Sequence, residues 1–147
     1  MADPLDSTTH LFFYGTLRAA EIRKKVLGYD VPEPRLFPAR LQGFEVRRVS
    51  GTFYPMIVAS TSDDIVEGLV MTDIDSGDLD RLDSFEGEDY QRIHVLADVA
   101  GQPCHVQIYQ ASSHLVAAER WDFWHWYEHE LEQFLSSDFD PGGVRKP

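Results

Sequence analysis

Cysteine is almost missing from this chain of 147 residues: its single thiol, Cys104, can make no intramolecular disulfide and no cysteine-rich zinc site. Basic charge is scarce too. Against 25 Asp and Glu stand 13 Lys and Arg, a formal net charge of −12, which argues against binding a phosphate backbone and makes nucleic acid and anionic membranes poor partners. No apolar run approaches the roughly 18 residues of a membrane span. Met1 to His10 is acidic and polar, where a secretory leader is basic and then apolar, so a cytoplasmic location is the expectation. Internal repeats and linkers are also lacking. What is present is an ordinary apolar content of 43%. At about 150 residues a chain can bury roughly 68–70% of its unfolded surface in a conventional core. One domain over residues 10–137 is expected, with 1–9 and 138–147 as flexible termini.

The first apolar block, Leu11-Phe12-Phe13-Tyr14, is too short for a helix and stops at Gly15, so it reads as a buried strand. A short basic helix from Leu17 to Leu27 follows, with Thr16 as its N-cap and Gly28 past its end. Val31 to Pro38 is proline-rich and reads as an extended loop. Leu41–Val49 and Thr52–Ala59 read as strands around Ser50-Gly51, with Pro55 confining the second to an edge or a bulge. Ile65–Thr72 is a further strand. Leu79, Leu82 and Phe85 share one face of a helix over Asp75–Glu86, which Asp75 can cap and Gly87 can end in a left-handed conformation. Gln91–Asp98 and Cys104–Gln110 form a hairpin about Ala100-Gly101, with Cys104 on the core side. From Val116 to Leu135 the spacing predicts one long helix. Its apolar stripe comprises Trp121, Trp124, Tyr127, Leu131, Phe134 and Leu135, with Trp126 on the polar side. Strands and helices without regular alternation give an α+β domain.

Three local patterns can carry chemistry. Tyr14-Gly15-Thr16-Leu17-Arg18 turns a strand sharply into a helix, and the open N–H groups of such a turn suit a carboxylate; the plain alternative is a glycine turn with a structural cap. Glu86 lies at the negative end of the predicted helix among Asp83, Glu88 and Asp89 and beside Phe85. Those surroundings raise a carboxyl pKa above its usual ~4.3 and improve it as a base, unless the acidic run is only a solvated face. His125-Trp126-Tyr127-Glu128-His129 matches the His-x-x-Glu-His string of inverted zinc peptidases. Both histidines fall on the polar face of the predicted helix with little chain left for a third ligand, so the expectation is no metal site.

Leu11-Phe12-Phe13-Tyr14-Gly15-Thr16-Leu17-Arg18, followed by Leu82-Asp83-Ser84-Phe85-Glu86-Gly87 and Tyr90-Gln91-Arg92, resembles the gamma-glutamylcyclotransferase-like proteins. These include the gamma-glutamylamine cyclotransferases and the plant avirulence-induced-gene-like group. Tyr54-Pro55 and Val66-Glu67-Gly68-Leu69-Val70 support the resemblance, which spans residues 11 to about 110. It implies a small, mostly antiparallel β-barrel flanked by helices. It also implies a site built from the loop Tyr14, Gly15, Thr16 and Leu17 facing Glu86, with Arg18 and Tyr90 positioning the substrate. The implied reaction is intramolecular acyl transfer: a gamma-glutamyl amine or gamma-glutamyl amino acid cyclises to 5-oxoproline and the free amine leaves. Glu86 serves as base and then acid, and no cofactor is needed. The alternative is a non-catalytic module of the same fold that binds a small carboxylate, with the aromatic C-terminal segment as a partner surface. The leaving group and the oligomeric state stay open at this stage.

Overall fold

Leu11-Phe12-Phe13-Tyr14 is buried on both faces, because alternate side chains of a strand point to opposite sides and this one has apolar layers on each. A computed structural model describes residues 9–137. The two segments beyond them, expected to be flexible, lie outside the described residues. Strand β1 (Thr9–Phe13) pairs antiparallel with β5 (Ile65–Ile74) and parallel with β7 (Gln102–Ala111). With β2 (Leu36–Gln42) and β6 (Tyr90–Val99) these close a barrel in the order β1-β5-β2-β6-β7. Phe12 and Tyr14 join Ala39, Leu41, Val70, Ala97 and Ile108 inside it. Leu11 and Phe13 face outward into a second core made with the helices. The α+β barrel flanked by helices that the resemblance implied is the observed fold. Among the described residues no helix is long and apolar enough to cross a membrane.

One glycine sets how closely β1 and β5 approach. A Cβ on Gly68 would lie 2.4 Å from the Phe13 carbonyl oxygen and 2.8 Å from the Phe12 ring, so any larger residue forces the strands apart. The hairpin of β6 and β7 turns at Ala100 and Gly101, with φ of 53° and 83°, as tight two-residue hairpins require.

A smaller sheet, in the order β4-β3-β8, stands beside the barrel. It consists of β3 (Phe44–Val49), β4 (Pro55–Ala59) and β8 (Ala117–Arg120). Pro55 begins an edge strand, as its missing N–H demands. The expected single strand Leu41–Val49 is instead two strands in different sheets, because Gly43 at φ 86° turns the chain between them. Val31–Pro38 is not all loop. A 3-10 turn at Glu33–Arg35 leads into β2, and the Arg35 guanidinium fastens that corner to the carbonyls of Thr72 and Asp73.

Helix α1 (Ala20–Leu27) starts later than the sequence suggests. Thr16 does not cap it; Thr16–Arg18 forms a separate 3-10 turn, and Ala19 precedes α1 without a side-chain cap. Gly28 ends it at φ 85°, as expected. Helix α2 (Ser76–Glu86) is capped by Asp75, whose carboxylate accepts from the Asp78 N–H at 2.8 Å. Gly87 has positive φ, 82°, but an extended ψ of −176°, so it stops the helix without the left-handed helical conformation.

The C-terminal expectation needs the largest correction. The run Val116–Leu135 is not one helix but β8, α3 (Phe123–His129) and α4 (Leu131–Ser137), broken at Glu130. Asp122 starts α3 by accepting from the His125 N–H at 2.8 Å. The buried face of α3 also differs from the expected stripe: Trp126, assigned to the polar side, is 1% exposed, whereas Trp124 is 60% exposed. Phe123 and Trp126 bury with Leu131 and Phe134 against Phe85 and Ile22.

Candidate active site

Where β1 ends, Gly15 lets the chain pass close beneath the small sheet. A Cβ there would lie 2.5 Å from Cγ of Pro55, so the approach excludes every side chain larger than hydrogen. The 3-10 turn Thr16–Arg18 then begins, closed by the Arg18 N–H donating to the Gly15 carbonyl at 3.0 Å. Tyr14 itself points into the barrel end and donates to the Tyr109 carbonyl at 2.6 Å. From the other side α2 delivers Glu86 as its last residue, half-buried. Tyr90, opening β6, donates its phenol hydrogen to the Pro55 carbonyl at 2.8 Å.

These pieces converge. Tyr14, Gly15, Thr16, Leu17, Glu86 and Tyr90 line one pocket of about 360 Å³, completed by Phe12, Phe13, Tyr54, Pro55 and Tyr109. The turn after β1 and the end of α2, far apart in sequence, therefore share one concavity. Arg18 is not among them. Its guanidinium lies 4.3 Å from the centre of the Phe123 ring in a cation–π contact, on another face of the turn. Burial lowers its pKa, opposed by the charges of Glu67 and Asp122.

Tyr109 is the residue that sequence reading missed. It ties both halves of the site together: its carbonyl holds Tyr14, and its phenol donates to Asp83 of α2 at 2.7 Å. Asp83 also pairs with Arg92 at 3.0 Å, and Arg92 reaches Gln107 at 2.8 Å. The expected repulsion between Asp83 and Glu86 is thus offset by a cation and a phenol. A signal was present: β7 alternates through Val106 and Ile108, and the buried Tyr109 interrupts that period.

The phenols near Glu86 are held neutral. Burial pushes the Tyr109 pKa far up, helped by its bond to Asp83 and by the nearby Glu86 charge. Tyr14 is likewise raised, first by burial and then by Glu86 and Tyr90, against an opposing Ile57 backbone hydrogen bond. Both can donate hydrogen bonds throughout the physiological range. Unfolded phenols ionise near 10 while these resist it, so their contribution is complete below about pH 10 and is lost as pH rises beyond that. Each steepens the decline by up to about 1.4 kcal/mol per pH unit. Denaturant midpoints measured from pH 9 to 11.5 are expected to fall less steeply for Tyr109→Phe than for wild type, with parallel curves as the contrary result.

His125 and His129 stack with ring centres 4.4 Å apart, and the His129 Nδ1 contacts the His125 carbonyl at 2.9 Å. Both are exposed on α3, and among the described residues no three His, Cys, Asp or Glu side chains group as metal ligands. Cys104 is half-buried against the barrel interior.

The family model for gamma-glutamyl cyclotransferase, AIG2-like, matches residues 11–123. AIG2-like protein A of Arabidopsis thaliana is 33% identical over 86 residues, covering 58% of this chain and 50% of that protein, so the chain spans about half the length of that relative. AIG2-like protein C of the same plant is 30% identical over 131 residues, 86% of this chain and 74% of that protein. A solved structure titled gamma-glutamyl cyclotransferase shares the fold with a TM-score of 0.61 at 18% identity, covering 95% of this chain and 89% of that one.

Proposed function

Because the chain belongs to the gamma-glutamyl cyclotransferase, AIG2-like family, we propose that it cyclises gamma-glutamyl amines or gamma-glutamyl amino acids to 5-oxoproline, with Glu86 moving the protons. The observation that carries this reading is the meeting of the Tyr14–Leu17 turn and Glu86 on one pocket. A gamma-glutamyl group ends in a zwitterion. Its α-carboxylate is received by the first N–H groups of the Gly15–Leu17 turn, which have no partner within a helical turn. Its α-ammonium faces Glu86 and gives up a proton.

The freed amine then attacks the γ-carbonyl of the same residue, forming the C–N bond of a five-membered lactam and a tetrahedral oxyanion. Collapse breaks the bond to the departing amine. Two protons in all leave the α-nitrogen and two end on the leaving group, released as an ammonium ion, so Glu86 finishes as it began. Nucleophile and carbonyl already share one molecule, so what binding supplies is the freezing of the rotors between them in a geometry suited to attack. No step calls for a cofactor.

The test is to incubate the full chain with a panel of gamma-glutamyl amides and gamma-glutamyl amino acids and follow 5-oxoproline, with calorimetry in parallel. Product from at least one of them is expected. Calorimetric binding without product would overturn the enzyme reading in favour of a carboxylate-binding module.

A further inference from the structure

Beside the Glu86 pocket lies a second cavity of about 570 Å³, walled by Phe53, Tyr54, Trp126 and Phe134, with Glu130 and Gln133 on its border. Tyr54 belongs to both cavities. The aromatic wall is well built: Tyr54 meets Phe134 edge-on at 5.9 Å, and Trp126 meets Phe134 edge-on at 5.5 Å. One polar atom in this region is unanswered. The indole N–H of Trp126, a residue 1% exposed, has no acceptor among the described residues. Buried indole N–H groups ordinarily find one, so an orphan here calls for an acceptor brought from outside. The N–H is shielded from solvent, and a ligand reaches it only when border side chains part. Phe53, 55% exposed, and the exposed Gln133 are the least confined of them.

We propose that this cavity is the subsite for the departing amine, and that it selects an aromatic or aliphatic amine carrying a neutral hydrogen-bond acceptor for Trp126. The inference rests on the cyclotransferase reading above. It places the γ-glutamyl end by Glu86 and the rest of the substrate across Tyr54. Charge supports a neutral acceptor over a carboxylate: Glu130 borders the cavity, and no Lys, Arg or His does so among the described residues. A free amino acid as leaving group would bring its carboxylate toward Glu130, which like-charge repulsion disfavours.

The test has a binding arm and a turnover arm, both with the full chain. In the first, 15N-labelled protein is titrated with 4-(aminomethyl)-N,N-dimethylbenzamide, and with methylamine as control. The Trp126 indole resonance, identified by its loss in Trp126→Phe, is expected to move downfield with the aryl amine only. In the second, kcat/KM for the gamma-glutamyl amide of the aryl amine should exceed that for gamma-glutamylmethylamide by at least about tenfold. Phe53→Ala should cut this preference, read as the ratio of the two kcat/KM values, roughly fivefold, because Phe53 walls the part of the cavity that receives the amine. Methylamide turnover with no aryl preference and an unmoved Trp126 overturns the subsite and keeps the cyclotransferase reading. A moved Trp126 with no 5-oxoproline from any amide overturns that reading, and the leaving-group role with it.

Discussion

Glu86→Gln is expected to slow 5-oxoproline release by at least about 100-fold with folding retained, since a positioned acid–base group typically contributes 10²–10⁴ in rate. The substitution keeps the size and planarity of the side chain but removes its capacity to accept a proton. Glu86 is half-buried at the end of α2, and the last turn of that helix carries no basic residue. Tyr14 and Tyr109, both near its charge, stay protonated and cannot replace it as a base. Substrate affinity should weaken as well, because the α-ammonium loses the charge that it faces in this mechanism, although the turn Gly15–Leu17 still receives the α-carboxylate. Wild-type rates in the Glu86→Gln protein, with matching near-ultraviolet circular dichroism, would remove Glu86 from the mechanism.

Gly68→Ala is expected to lower stability by about 2–3 kcal/mol and the melting temperature by roughly 6–12 °C. The added methyl group has nowhere to go. It would lie 2.4 Å from a backbone oxygen of β1 and 2.8 Å from the Phe12 ring, and backbone cannot rotate away as a flexible side chain does. Relief requires β1 to part from β5 at Phe13↔Leu69, one residue before Tyr14. Activity should therefore fall with stability, as Tyr14 and the turn after it shift relative to Glu86. Thermal unfolding of the purified variant checks this; a melting temperature within 2 °C of wild type would mean that the barrel accommodates the methyl group.

Local sequence signals located the two halves of the candidate site but not what joins them. Gly15 after an apolar run and Gly87 after an amphipathic helix mark chain reversals that sterics dictate locally, so Tyr14 and Glu86 fell at the ends of elements as expected, whereas Thr16 opens a 3-10 turn in place of capping α1. Tyr109 and Arg92 act across strands and onto a helix, and such partners depend on register that no window of neighbouring residues contains. Val116–Leu135 shows the opposite failure. Its apolar residues fit a helical period, yet pairing with β3 holds Ala117–Arg120 as a strand, and the short helix α3 that follows buries Phe123 and Trp126. Arg18, placed by motif beside the substrate, meets the Phe123 ring at the start of α3, a contact that depends on the path of the C-terminal segment.

Pro55 has a consequence for motion. Its ring abuts Gly15 and its carbonyl anchors Tyr90, yet it sits at the rim of the small sheet, where β4 is bonded to β3 alone. Rims of sheets exchange their amide hydrogens sooner than closed ladders do. Parting of β4 from β3 would open the mouth of the cleft and leave the closed ladder of the barrel intact.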